Sequence, residues 1–240
     1  MQTPTRYRRL FSARHAVLPV IHVDSLEQAL RNAGIARAAG AEGVFLINHG
    51  MADVELLGIH EVVADAHSGW FIGVNCLGLS PVETFEAISQ KVGGVWVDNA
   101  GIEESAEDQP YAERLAALRQ ERAPECLYFG GVAFKYQRPV EDLEAACRIA
   151  ARFLDVVTTS GPGTGHAADV GKIARMKRSL GETPLAIASG ITPENVAEYL
   201  PHADCFLVAT GIGRTFTELD PEKVRALVTR VRAAETGSVG

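Results

Sequence analysis

The chain has 240 residues, 47% of them hydrophobic and 22% charged, so it can bury a sizeable core and a disordered protein is excluded. Its net charge of −7, with no long basic tract, argues against nucleic acid as a partner. The apolar runs fall far short of the roughly 20 residues of a transmembrane segment. The scattered cysteines, without a C-x-x-C pair, predict reduced and buried thiols in a cytoplasmic protein (Cys76, Cys126, Cys147, Cys205).

The chain begins with an arginine-rich extension, residues 1–15, which lacks the apolar stretch of a signal peptide; a targeting peptide is the alternative. From residue 16 onward, short apolar runs alternate with longer amphipathic segments. Nearly continuous apolar runs are typical of parallel strands that are covered on both faces. The predicted strands are residues 16–22, 43–48, 70–75, 94–99, 126–134, 154–160, 184–190 and 204–211.

Capping residues mark the helices between these strands. Ser25 precedes Gln28 in the spacing of a capping box, at the start of a helix predicted over 25–39. Asp169 is expected to cap the helix that ends at Leu180. Prolines stand at or near the first turn of four further helices (Pro81, Pro139, Pro193, Pro221).

Eight strands in alternation with eight helices, without a linker, predict one (β/α)8 TIM barrel with a parallel eight-stranded sheet. The barrel is predicted over residues 16–235, followed by a flexible tail at 236–240. The length matches the roughly 250 residues typical of this fold. An open doubly wound sheet is the alternative.

Barrel active sites lie at the carboxyl ends of the strands, where this sequence places polar side chains. We predict Asp98 as general acid or base with His22 as its partner, and Lys135 as a contact to developing negative charge. A Schiff-base role for Lys135 is the alternative. The residues predicted to orient the substrate are Asn48, Asn75, Thr159, Ser160 and Ser189.

Side-chain alternation supports this set, because residues two apart on a strand share a face. In four predicted strands a polar residue stands two positions after a residue in the body of the strand: Leu46–Asn48, Gly73–Asn75, Trp96–Asp98 and Ile187–Ser189. If the first member points into the barrel, the polar member does too. His49 then lies on the face opposite to Asn48. The alternative is that these polar residues only begin turns.

The loops after the last three strands are rich in glycine: TTSGPGTGHAADVGK (158–172), ASGITPENV (188–196) and ATGIGRT (209–215). None fits a dinucleotide fingerprint or a P-loop. In TIM barrels, backbone amides after strands seven and eight commonly hold phosphate, and we expect the helix begun by Pro193 to assist. The predicted phosphate-binding residues are Gly161, Gly190, Ile191, Gly211, Ile212 and Arg214. The alternative is that the glycines serve only tight turns.

No cofactor is predicted, and a divalent metal is the alternative. His22 and Asp24 stand in an H-x-D arrangement at the first strand end, and Asp98 and His49 are further candidate ligands. The remaining helix and loop histidines are expected at the surface (His60, His67, His202).

The segments TTSGPGTGHAADVGKIARMK and TPLAIASGITPENVAEYLPHADCFLVATGI, with weaker matches at VLPVIHVDSL, GVFLINHG, IGVNCL and GGVAFKYQRPVEDLEAA, resemble the BtpA/SgcQ family. That family is named for a photosystem I biogenesis protein and a protein of a sugar-utilisation operon. The chain departs from the family pattern at its first strand, after Asp98, and at Lys135–Tyr136, where many relatives have histidine after the lysine.

The resemblance implies a TIM barrel that binds a phosphorylated ligand. Together with the site residues it favours an enzyme-like barrel that binds, or acts on, a small phosphorylated metabolite, such as a sugar phosphate, ribosyl phosphate or nucleotide. The alternatives are a non-enzymatic assembly or regulatory factor, and a metal-dependent hydrolase or lyase that uses His22, Asp24 and Asp98. Barrels of this size often form homo-oligomers, which is the further partner expected.

Overall fold

A computed structural model describes residues 5–236 and shows a closed barrel of parallel strands in the order β1 to β8. This confirms the TIM barrel and excludes the open sheet. The strands are β1 (Ala16–Val23), β2 (Gly43–Asn48), β3 (Phe71–Asn75), β4 (Gly94–Val97), β5 (Leu127–Gly131), β6 (Val156–Thr159), β7 (Leu185–Ala188) and β8 (Cys205–Val208). Each predicted strand is present, although β4 to β8 all end earlier because the chain turns into loops at the mouth.

Helices cover the outside of the barrel and one lies beneath it. They are α1 (Arg6–Leu10), α2 (Leu26–Ala38), α3 (Asp53–Ala66), α4 (Pro81–Ala87), α5 (Pro110–Arg122), α6 (Leu143–Ala150), α7 (Val170–Leu180), α8 (Val196–Tyr199) and α9 (Pro221–Thr236). A 3-10 turn, Thr210–Ile212, follows β8. None of the helices within residues 5–236 has the length and apolar character needed to cross a membrane.

The predicted caps are present at α2 and α7. The Ser25 hydroxyl accepts from the Gln28 amide at 3.2 Å, but the Gln28 side chain accepts from the amide of Asp24, so the box is displaced by one residue. The Asp169 carboxylate accepts from the Lys172 amide at 2.7 Å. Pro193 does not begin a helix: it lies in a turn, and α8 is a single turn of four residues that begins at Val196.

The part of the extension that the structure describes packs under the amino-terminal end of the barrel. Tyr7 and Phe11 are buried among the interior residues of the barrel, and the Phe11 ring meets Phe71 edge-on at 5.1 Å. The Tyr7 hydroxyl donates to the Asp204 carbonyl at 2.7 Å. Residues 5–15 thus close the bottom of the barrel. The predicted tail at 236–240 lies outside the described residues apart from Thr236, which ends α9.

Three acidic residues brace this lower end in the same way. Glu42, Asp155 and Asp204 each directly precede an even-numbered strand. Each carboxylate accepts the amide of a residue on the odd-numbered strand before it, and each also pairs with cationic side chains. Asp155, for example, lies 2.6 Å from the Arg119 guanidinium and 2.9 Å from the Tyr128 amide. Hydrogen bonds and ion pairs of these three carboxylates therefore join the strands at the bottom of the barrel.

Candidate functional site

The site is a cavity of about 250 Å³ at the carboxyl ends of the strands. Its floor is apolar and consists of inward-facing strand residues (Val20, Ile47, Trp96, Ala188, Leu207). On three strands the residue two positions further carries a titratable side chain, so His22, His49 and Asp98 lie above the floor. Alternation therefore produces an apolar layer with a reactive layer above it.

Trp96 and Asp98 both point inward, but the face that Leu46 shares with Asn48 is the outer one. Leu46 packs in the shell between strands and helices, and it is Ile47 that points inward. The Asn48 amide donates to the Met51 carbonyl at 2.9 Å and accepts from the Leu77 amide at 3.0 Å, so this side chain ties two loops together. Because Asn48 points outward, its neighbour His49 points inward and lines the cavity, contrary to the prediction.

Ser189 reaches the cavity by a local backbone distortion. Ile187 packs against the helices, so simple alternation would turn Ser189 outward as well. Its φ of 98° is rare for a residue with a side chain and interrupts the regular alternation of the strand. Ser189 therefore lines the cavity. A strained conformation at the mouth of a barrel is typical of a functional position.

Asp98 is the acidic group of the site. The Asn75 side-chain amide donates to its carboxylate at 3.2 Å. Asn75, which was predicted to orient the substrate, therefore contacts Asp98. Burial raises the pKa of the Asp98 carboxyl above its ordinary value, although the Asn75 hydrogen bond, Lys135 and His49 each oppose the shift. A carboxyl shifted in this direction is better suited to accept and return a proton near neutral pH.

Two histidines stack beside it. The rings of His22 and His49 lie 4.7 Å apart and nearly parallel, and the Phe216 ring lies 4.1 Å from His22. Burial, together with the charges of His49 and Lys135, lowers the pKa of His22 to about 4. Burial and Lys135 also lower the pKa of His49, against the opposing effect of Asp98. Both imidazoles are consequently neutral at pH 7, and His49 is the one that senses the Asp98 charge directly.

Lys135 is held over the cavity by its neighbours. Its amide donates to the Ser160 hydroxyl at 2.8 Å, and its ammonium donates to the Thr164 hydroxyl at 3.2 Å. The half-buried Lys172 ammonium donates to the carbonyls of Ala133 at 2.7 Å and Ser160 at 3.0 Å. Lys172 thereby joins the loops after β5 and β6, which carry Lys135 and Thr164.

Thr159 and Ser160 are buried in this junction and do not line the cavity. The Thr159 hydroxyl donates to the Ala133 carbonyl at 3.2 Å, and the Ser160 hydroxyl donates to the Gly161 carbonyl at 2.9 Å. The structure therefore gives both residues contacts that shape the loops around Lys135.

The predicted phosphate-binding residues lie behind the cavity wall. A Cβ on Gly161 or Gly190 would overlap the carbonyl oxygen of His166, and one on Gly211 would overlap that of Ile191. The glycines thus allow close packing of the three loops. Ile191 and Ile212 are fully buried, Arg214 is exposed, and none of the six lines the cavity. Instead, the hydroxyls of Ser189, Thr210 and Thr164 line it.

The family follows from a comparison over nearly the whole chain. A model described as the BtpA family matches residues 21–233. The chain belongs to the BtpA family. An uncharacterized protein of Thermococcus kodakarensis is 29% identical to this BtpA-family chain over 237 residues, which cover 89% of the chain and 88% of the relative.

Solved structures with the same fold include three enzymes. Phosphoribosyl anthranilate isomerase from Thermus thermophilus has a TM-score of 0.62 at 17% identity, over 91% of this chain and 99% of its own. Thiamine phosphate pyrophosphorylase from Pyrococcus furiosus has a TM-score of 0.64 at 16% identity, over 92% of this chain and 96% of its own. The third is (S)-3-O-geranylgeranylglyceryl phosphate synthase from Thermoplasma acidophilum, solved with its substrate sn-glycerol-1-phosphate. It has a TM-score of 0.67 at 16% identity, over 95% of this chain and 97% of its own. Identities this low show a shared fold alone.

The metal candidates of this BtpA-family barrel are not arranged as a set of metal ligands. Within residues 5–236, no three His, Cys, Asp or Glu side chains are grouped as metal ligands. Asp24 is exposed, and its carboxylate accepts from the Ser25 hydroxyl at 3.1 Å. It lines a neighbouring cavity with His22 and His49, and Asp98 is not part of that lining. The expectation that His60 lies at the surface is wrong: it is buried, and its ring contacts the Ile72 carbonyl at 3.2 Å.

His22 predicts a pH-dependent stability. Its folded pKa of about 4 is below the ordinary 6.5, so the unfolded chain binds more protons between these values. The stabilisation is complete above the unfolded pKa and is lost as the pH falls towards the folded one. From pH 7 to pH 5 we expect His22 to account for a loss of about 2 kcal/mol in the free energy of unfolding. A His22→Gln variant should lack this part of the loss in urea unfolding, whereas the smaller contributions of His49 and His60, whose pKa values are also lowered, should remain.

A Ser25→Ala variant is the control, because it removes a helix cap, worth about 1 kcal/mol, without removing a titratable group. It should keep the pH slope of the wild type at lower overall stability. If His22→Gln keeps that slope too, the histidine is not the group responsible.

Proposed function

We propose that this BtpA-family barrel binds a small phosphorylated metabolite in the cavity and acts on it by proton transfer. The observation that carries the proposal is the Lys135 ammonium at the cavity wall, held by Thr164 and close enough to His22, His49 and Asp98 to influence the pKa of each. A cation and a carboxyl of raised pKa then border the same small space.

The cavity has two chemically different sides. The loops after β5 to β8 supply the Lys135 ammonium and the hydroxyls of Thr164, Ser189 and Thr210. All of these can donate hydrogen bonds to phosphate oxygens, and the ammonium adds a favourable charge. The strands β1, β2 and β4 supply His22, His49 and Asp98. The phosphate would thus lie on the first side and the reacting carbon on the second.

The roles on the second side follow from charge. Asp98 would take a proton from a carbon or hydroxyl of the ligand, and His49, neutral at pH 7, would donate or accept a hydrogen bond at a neighbouring oxygen. Lys135 would stabilise the negative charge that develops on that oxygen. The solved barrels of the same fold support the class of ligand, since two are named for phosphorylated compounds and a third holds sn-glycerol-1-phosphate.

Lys135→Met tests the proposal. Loss of the ammonium should weaken binding of ribose 5-phosphate and of inorganic phosphate by about tenfold or more, because a charge-assisted hydrogen bond contributes roughly 1.5–3 kcal/mol. Isothermal titration calorimetry measures both affinities, and a thermal-shift screen of phosphorylated metabolites with and without EDTA identifies better ligands.

The control is Lys91→Met, which removes a lysine that pairs with Glu61 and Asp65 away from the cavity. Phosphate affinity should be unchanged in this variant. Equal affinity in wild type and Lys135→Met would refute the assigned role of the lysine, and failure of every phosphorylated compound to bind would refute the proposed ligand class.

A further inference from the structure

Large hydrophobic side chains surround the entrance to the cavity. Leu77, Tyr136 and Phe216 come from the loops after β3, β5 and β8, line the cavity, and are each exposed to solvent. Exposed side chains of this size are costly to leave in water, and where they border a cavity they indicate a surface that an apolar group covers.

The floor is apolar as well. Val20, Ile47, Trp96, Ala188 and Leu207 supply no side-chain oxygen, and the single polar atom among these side chains, the Trp96 Nε1, is buried without a hydrogen-bond partner. A ligand covered with hydroxyls would lose its water on this floor without regaining hydrogen bonds, which costs free energy for each group. An apolar ring makes no hydrogen bonds to water, so it would lose none on this floor, and its contact with the Trp96 indole would be favourable.

Phe216 is held in place at the rim. Its loop is braced by the bridge between Gly213 and Leu219 and by the Arg214 amide, which donates to the Glu218 carbonyl at 2.7 Å. The neighbouring Thr217 carbonyl accepts from the Asn32 side chain at 2.7 Å. The Phe216 ring therefore has a defined position, against His22 and 5.3 Å from the ring of His49.

We propose that the ligand of this cavity carries a flat apolar ring, which lies between the Trp96 floor and the Phe216 rim, with its phosphate directed towards Lys135. The inference rests on the proposed function and narrows it: a phosphate ester with a ring fits the two sides and the floor, whereas a bare polyol phosphate satisfies only the Lys135 side. The volume of about 250 Å³ limits the ligand to a small molecule.

The test compares phenyl phosphate with ribose 5-phosphate and inorganic phosphate by isothermal titration calorimetry. Phenyl phosphate is expected to bind about tenfold more tightly than ribose 5-phosphate, with a more negative heat-capacity change, because it buries apolar surface. Phe216→Ala should reduce the affinity for phenyl phosphate about threefold to tenfold and leave that for ribose 5-phosphate unchanged.

Val54→Ala is the matched control. Val54 on α3 is 77% exposed, compared with 55% for Phe216, and does not line the cavity. Both changes remove an exposed hydrophobic side chain, so neither should prevent folding. Only Phe216→Ala should reduce the preference for phenyl phosphate.

The two levels of the hypothesis fail in different ways. If ribose 5-phosphate or inorganic phosphate binds as tightly as phenyl phosphate, or if Phe216→Ala weakens all three equally, the ring inference is wrong and the phosphate-binding function stands. If none of the three binds and the thermal-shift screen finds no other phosphorylated ligand, the proposed function is wrong and the inference falls with it.

Discussion

An Asp155→Ala variant is expected to lose about 3–5 kcal/mol of its free energy of unfolding, because it removes one partner of a buried ion pair. The Asp155 carboxylate lies 2.6 Å from the buried Arg119 and also accepts the Tyr128 amide. Without it, a guanidinium and a backbone donor remain in the interior with their main acceptor gone. Urea unfolding at pH 7 measures the loss.

The double variant Asp155→Ala with Arg119→Met is the control. Replacing both members of a buried pair by apolar groups is often close to neutral, so the double variant should recover a large part of the stability. A loss below about 1 kcal/mol in the single variant would show that Asp155 is not needed to neutralise Arg119.

A Gly190→Ala variant is expected to lose roughly 3 kcal/mol, and a Gly58→Ala variant to gain about 0.5–1 kcal/mol. Gly190 has a φ of 71°, and a Cβ there would overlap the backbone of His166 and Ala167. The left-handed conformation and the overpacking both oppose alanine. Gly58 lies inside α3 with no atom near the position of a Cβ, so alanine there only restricts the unfolded chain. Thermal unfolding of both variants measures the contrast.

The same pair of variants bears on the loops that we propose to bind phosphate. Because Gly190 packs the loop after β7 against the loop after β6, Gly190→Ala should also shift the hydroxyls of Ser189 and Thr164 and weaken phosphate binding. Gly58→Ala should leave binding unchanged. A Gly190→Ala protein as stable as the wild type would contradict the close packing described above.

The order of the elements was predictable from the sequence. Apolar runs of strand length recur between amphipathic segments, and residues such as Ser25 and Asp169 mark helix starts through local hydrogen bonds. The position of Asp98, Lys135 and His22 at the mouth follows from the same information, since parallel strands in a barrel end at one face. These properties depend on neighbours close in the chain.

Which residues enter the cavity was decided by the tertiary structure. The strand GVFLIN is apolar at every position before its asparagine, so both of its faces are suited to burial and its pattern does not say which one points inward. In the closed barrel, Ile47 and His49 point inward, whereas Leu46 and Asn48 point outward. Ser189 entered only through its positive φ, which no periodicity predicts.

The contacts that could not be predicted from the sequence join residues that lie far apart in the chain. Phe216 reaches His22 across nearly the whole chain, and Lys172 meets the carbonyl of Ala133 in a different loop. Asp155 precedes β6 yet neutralises Arg119 on α5. The sequence by itself determined the barrel, the caps and the polar mouth, because local periodicity and hydrogen bonding specify them. Only the closed barrel decided the cavity, because its chemistry depends on which faces and which distant loops closure brings together.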